Sequence, residues 1–109
     1  MNEAQFQNTV IDLAQKLGWK VAHFRSAQTA KGWRTPVQAD GAGFPDLLMI
    51  RLRDGRCVVA EIKSEKGRLS ELQAEWLCAF GDAGVKYYVW RPEDLGPTVE
   101  ESRIMEVLR

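Results

Sequence analysis

Two short apolar runs separated by an Asp-Gly pair constrain the fold of this chain most. Residues 46–53 (Asp-Leu-Leu-Met-Ile-Arg-Leu-Arg) and 56–63 (Arg-Cys-Val-Val-Ala-Glu-Ile-Lys) each have the length and content of a strand, and Asp54-Gly55 between them is a strong hairpin signal. A two-residue turn predicts a register with Asp46 opposite Lys63 and Leu48 opposite Glu61. Side chains alternate along a strand, so Asp46, Leu48, Ile50 and Leu52 would share a face with Cys57, Val59, Glu61 and Lys63. Three charged groups then gather at one end of an otherwise apolar face, with Asp46 and Glu61 as diagonal neighbours. A slip of one residue would scatter them.

The flanking segments supply helices and one more pair of strands. From Asn2 to Leu17 the residues Phe6, Val10, Leu13, Ala14 and Leu17 draw one apolar stripe of helical period. Asn2 with Gln5 forms a variant capping box, and Gly18 ends the helix. Residues 19–24 predict a short strand. Residues 25–45, with Gly32, Pro36, Gly41, Gly43 and Pro45, show no periodicity, and so long a connection is usually functional or mobile. Ser70 opens a second helix with Gln73 completing a capping box, running to about Phe80 with Leu72, Trp76, Leu77 and Phe80 inward. Residues 86–90 predict another strand, closed by Arg91-Pro92, and a short helix from about Glu100 turns Ile104, Val107 and Leu108 to one side. The order α-β-β-β-α-β-α predicts an α/β domain spanning residues 1–109, a mixed sheet flanked by helices. The tail helix and the Tyr87-Tyr88 strand are candidates for a dimer seam.

Composition excludes several classes. No apolar run approaches the ~20 residues that cross a membrane. Met1-Asn2-Glu3 lacks the basic and apolar regions of a secretory signal, and two cysteines, Cys57 and Cys78, make neither a disulfide framework nor a four-thiolate zinc site. The expectation is a reduced, cytoplasmic, intracellular protein with no membrane partner. The formal net charge of zero taken alone argues against nucleic acid, but the charge is uneven. Residues 16–68 hold eleven Lys/Arg against five Asp/Glu, whereas residues 69–109 hold four against eight. A neutral chain can therefore carry a basic face, and a phosphate backbone responds to local potential.

Both helices place a polar residue where the core stripe begins. Glu3 lies among Phe6, Val10 and Ala14 on the helical wheel, and Gln73 lies between Leu77 and Phe80. Each has an ordinary explanation. Asp46 can pair with Lys63, Gln73 can close its capping box, and Glu3 can complement a helix dipole. Jointly, three acids, a lysine and a glutamine converge on one corner, where burial is costly unless charges are paired or bound to metal. Two carboxylates with the Ile62 backbone carbonyl make a hard oxygen site suited to Mg²⁺ or Mn²⁺. Lys63, two residues after Glu61, faces the same way and can orient or deprotonate a water or stabilise transition-state charge.

These residues carry a family resemblance. Gly43-Phe44-Pro45-Asp46-Leu47, Glu61-Ile62-Lys63 and Gly67-Arg68-Leu69-Ser70 with Gln73, preceded by Glu3 and followed by Gly84 and Val89-Trp90-Arg91-Pro92, resemble the VRR-NUC domain of the PD-(D/E)xK nuclease superfamily. The resemblance implies a restriction-endonuclease-like core and a Mg²⁺- or Mn²⁺-dependent DNA endonuclease, of the stand-alone phage type that acts on branched DNA such as four-way junctions or flaps as a homodimer. It implies that Asp46, Glu61 and the Ile62 carbonyl hold the metal and that Lys63 serves the water and the transition state. Glu3 would act through water or help the metal, and Gln73 would orient Lys63 or the metal shell. Arg25, Lys31, Arg34 and Gln38 in the long connection are candidate DNA contacts, with Trp33 placed to stack on a base, and so are Lys66, Arg68 and Ser70. His23, the single histidine, is read as structural, and Cys57 as core. Two alternatives are a non-catalytic DNA-binding module on the same fold and a restriction-type duplex endonuclease.

Overall fold

The computed structural model describes residues 1–24, 27–29, 32–34 and 37–109, with 27–29 and 32–34 described through their backbone. The chain is α/β: α1 (Glu3–Lys16), β1 (Lys20–His23), β2 (Ala27–Thr29), β3 (Gly32–Arg34), β4 (Leu47–Arg51), β5 (Arg56–Ile62), α2 (Glu71–Asp82), β6 (Lys86–Trp90) and α3 (Arg103–Leu108). Four strands form one mixed sheet in the order β1-β4-β5-β6. β4 is antiparallel to both β1 and β5, whereas β6 runs parallel to β5 through the crossover that carries α2.

β5 is central, and its run from Val58 to Ile62 is buried on both faces. On one face Leu47, Met49, Val58, Ala60, Ile62 and Trp90 meet Phe6, Val10 and Ala14 of α1 and Ile104 and Leu108 of α3. α2 covers the other face along β5 and β6, with Leu77 buried. Gly81 sits so close to the Tyr87 ring that a Cβ there would come within 2.6 Å of it. Ile104 and Leu108 of α3 are buried in the core, Val107 partly, while Tyr87 stays 44% exposed.

Both long helices start as their residues predict. The Asn2 side chain accepts from the Gln5 N–H and the Gln5 side chain accepts from the Asn2 N–H; Ser70 and Gln73 repeat the arrangement. Gly18 follows the cap of α1 at φ +89°, a conformation that favours glycine.

Three expectations are corrected. The β4–β5 connection is not a two-residue turn: Leu52–Asp54 form a 3₁₀ turn closed by Gly55 at φ +66°, so that Arg51 faces Arg56 and Leu47 faces Ala60. The register is displaced by two residues. An even displacement leaves every side chain on its predicted face, and only Leu52 leaves the strand, 83% exposed. Within this longer turn the Arg51 guanidinium holds both oxygens of Asp54, at 3.1 and 2.9 Å. Second, the connection 25–45 contains a separate antiparallel pair, β2 with β3, whose three-residue strands are too short to print a period. Third, Leu72 is 50% exposed rather than inward.

Candidate active site

All of the charged residues singled out from β4 and β5 lie at one end of the sheet. Asp46 immediately precedes β4 and Lys63 immediately follows β5, and antiparallel pairing brings those termini together. Continuing the observed register by one pair puts Asp46 opposite Glu61, closer than the diagonal relation expected. Asp46 Oδ2 accepts the Ile62 N–H at 2.8 Å, and the Asp46 carbonyl accepts the Phe24 N–H at 2.9 Å from the end of β1. The aspartate is thereby fixed between its two neighbouring strands.

The loop that delivers Asp46 is shaped by contact with α2. Gly43, at φ +84°, approaches the start of that helix so closely that a Cβ would lie 2.6 Å from the Leu72 carbonyl carbon and 2.8 Å from the Gln73 nitrogen. Phe44 next to it meets Phe24, Phe80 and Trp76 edge-on at 4.9–5.7 Å. The Trp76 indole N–H donates to the Asp40 carbonyl at 3.0 Å. Those aromatic contacts anchor the loop that a glycine-rich, aperiodic sequence would otherwise leave undetermined.

Glu61 is the unusual group. Its residue is 2% exposed on a strand of apolar neighbours. Lys63 Nζ stands 4.0 Å from Glu61 Oε1, and Gln73 Nε2 donates to the same oxygen at 3.3 Å. The other oxygen, Oε2, is buried without a hydrogen-bond partner among the described residues. Burial first, then the Asp46 carboxyl beside it, pushes the Glu61 carboxyl up to about 9, opposed by the Lys63 charge and reinforced by Glu3. A carboxylate so placed needs either a proton shared with Asp46 or a cation. The donor set (two adjacent carboxylates with one free buried oxygen, beside the strand end that bears the Ile62 carbonyl) fits a hard divalent cation.

Gln73 serves two partners at once. Its Oε1 accepts the Ser70 N–H at 2.9 Å as the capping box requires, which directs its Nε2 at Glu61. Glu3 sits in the exposed first turn of α1, not within the core stripe, and its charge is felt at Glu61. Among the described residues, no three His, Cys, Asp or Glu side chains converge as a metal-binding group, so Glu3 does not join Asp46 and Glu61 directly.

The remaining candidates divide. Lys66, Arg68, Ser70 and Gln38 are exposed, and Ser70 Oγ is engaged by the Gln73 N–H. Arg25 and Lys31, and the side chains of Trp33 and Arg34, lie outside the described residues. His23 is exposed and touches Gln7 of α1, one position before the strand end at Asp46. Cys57 is only half-buried on the face that Ile50 leaves 39% exposed. Two residues escaped sequence reasoning: Arg51, whose burial no local pattern predicts, and Arg91, considered below. No helix among the described residues is long and apolar enough to cross a membrane.

Comparison with known proteins gives two findings. A family model for the VRR-NUC domain matches residues 2–93. A relative from Arabidopsis thaliana, described as a Fanconi-associated nuclease 1 homolog, is 45% identical over 47 residues, covering 39% of this chain and 5% of that protein.

Proposed function

Because the chain belongs to the VRR-NUC domain family, whose model matches residues 2–93, we propose that it is a divalent-metal-dependent DNA endonuclease selective for branched DNA. The family makes it a nuclease domain, and the mixed sheet flanked by helices is its restriction-endonuclease-like core. The observation that carries the reading is the buried Glu61 carboxylate, with one oxygen unpartnered, beside Asp46 and Lys63.

Asp46, Glu61 and the Ile62 carbonyl are the groups that would hold Mg²⁺ or Mn²⁺, which supplies polarisation of a phosphoryl oxygen and acidification of a water. Lys63 is the catalytic residue of the set. Its side chain is 14% exposed, and its ammonium, 4.0 Å from Glu61, orients the attacking water or stabilises charge on the phosphoryl group as the leaving oxygen departs. Gln73 positions Glu61 and keeps it from turning to solvent. Glu3 acts from the rim through its field. The exposed Lys66 and Arg68 take the phosphate backbone, and the candidates in 25–38 extend that contact. A homodimer belongs to the same reading, since two-fold pairs present two sites to a two-fold junction. Nuclease activity agrees with the name of the Arabidopsis thaliana relative.

A panel of plain duplex, flap, splayed arm and four-way junction, each with Mg²⁺, Mn²⁺ or chelator, tests the proposal. Metal-dependent cutting of the branched forms is expected. Cleavage of plain duplex at one sequence would favour a restriction-type enzyme. Junction binding with no nick at any metal concentration would favour a non-catalytic binder.

A further inference from the structure

The segment after Lys63 turns back over the lysine and is fastened from outside. The Gly67 N–H donates to the Ser64 carbonyl at 3.3 Å. A Cβ at Gly67 would lie 3.0 Å from Ser64 Oγ and 3.4 Å from Lys63 Cδ, so the turn rides on the lysine's aliphatic stem. Arg91 Nη1 then donates to two carbonyls of that turn, Ser64 at 2.8 Å and Gly67 at 2.6 Å. A guanidinium is the side chain suited to such a bridge, being permanently charged and rigid in its donor geometry.

Arg91 is itself held. Its N–H donates to Asp94 Oδ2 at 2.8 Å and its carbonyl accepts the Asp94 N–H at 2.8 Å. One residue earlier, the Trp90 carbonyl accepts the Lys63 N–H at 3.0 Å. The end of β6 thus grips both the backbone of Lys63 and the turn beyond it. Lys66 within the turn and Arg68 just after it are exposed, and neither makes a side-chain hydrogen bond or ion pair with another described residue.

We infer that Arg91 is a positioning residue that presets the turn 64–67, so that Lys66 within it and Arg68 just after it meet the phosphates of the strand whose scissile bond lies at Lys63. The inference rests on the nuclease reading above. A turn already cinched by Arg91 loses little conformational freedom when DNA arrives, and it keeps Lys63 from swinging away with its neighbours.

The experiment measures four-way-junction binding against salt concentration, together with kcat and KM, for the wild type, Arg91→Lys, Arg91→Met and the pair Lys66→Ala/Arg68→Ala. The pair should reduce the salt slope by about two, one per phosphate contact. Arg91→Met should reduce the slope in the same direction, raise KM more than it lowers kcat, and add nothing further to the slope in the Lys66→Ala/Arg68→Ala background. Arg91→Lys, which retains the charge and enough donors but ends one bond short of the Nη1 position that reaches both carbonyls, should fall between, and it decides the matter if Arg91→Met does not fold. An unchanged slope in Arg91→Lys and in folded Arg91→Met, whatever the loss in melting temperature, would reduce Arg91 to a structural strap and overturn the inference. A wild-type protein that neither binds nor cuts any DNA would instead overturn the nuclease reading on which it rests.

Discussion

Glu61 shows how one residue can be ordinary in sequence position and costly in its setting. Its parity along β5 aims it at the α2-covered face, beside Asp46 and Lys63, and that parity could be read from the alternation alone. Its unpartnered Oε2 could not, because burial of one atom depends on how α2 seats against the sheet. The consequence is a pH dependence of defined sign. With its carboxyl pushed up to about 9 by burial and by Asp46, the metal-free native state keeps a proton that the unfolded chain releases near 4.5. The native state therefore binds more protons across that window, and stability must fall as pH rises through it. Thermal melting in chelator should decline from pH 5 toward about 9, the Glu61→Gln variant should lack most of that decline, and Mg²⁺ should restore stability most at the alkaline end. A flat wild-type profile in chelator would contradict this environment for Glu61. Gln73 likewise reconciles two readings of the sequence, since closing its capping box is what aims its amide at Glu61.

At the scale of elements, the sheet has one end that carries the candidate site and another that is purely structural. The structural end is built around Arg51, 3% exposed, which donates to the Leu17, Leu108 and Arg109 carbonyls at 2.7–3.1 Å besides binding Asp54. The same guanidinium holds the Asp54 carboxyl below its ordinary range. Arg56 donates to the Val107 carbonyl at 2.7 Å, and both guanidinium groups lie 4.7–5.0 Å from the Trp19 ring centroid. Together they satisfy carbonyls that the end of α3 would leave bare. Arg51→Met should destabilise the protein by about 2–4 kcal/mol in denaturant titrations, since charge-assisted hydrogen bonds are lost and buried carbonyls are orphaned. Loss below about 0.5 kcal/mol would show that α3 does not depend on the arginine.

The candidate-site end depends on Gly43. Gly43→Ala forces a Cβ into the backbone of Leu72 and Gln73 at a positive φ, and should cost about 1–3 kcal/mol while lowering cleavage through displaced Asp46 and Gln73. Wild-type stability and rate in that variant would show that the loop can move freely. The helices were legible because capping boxes and apolar stripes are local signals. The β4–β5 turn, the β2–β3 pair and the exposure of Leu72 were not, because side-chain bonding within a turn, very short strands and a loop approach leave no periodic signal.

For the whole molecule, the zero net charge describes a distribution rather than an absence of charge. Acids that count toward the total, Asp46 and Glu61, are the ones a divalent cation would offset, while Lys66 and Arg68 stand exposed in and just after the turn that follows Lys63. The family and the α/β class were visible as an ordered sequence pattern, as was the proximity of Asp46, Glu61, Lys63 and Gln73, whereas the placement of Glu3 and the grip of Arg91 needed three dimensions. Junction binding should weaken steeply with added salt, as phosphate contacts by the basic middle of the chain require, and a salt-independent affinity would argue against them. The central claim, that the corner of Asp46, Glu61 and Lys63 hydrolyses DNA, is tested most directly by Lys63→Ala. Cleavage of a four-way junction in Mg²⁺ should fall by at least about 10²-fold, with melting temperature and junction affinity in Ca²⁺ close to wild type; cleavage at the wild-type rate would contradict it.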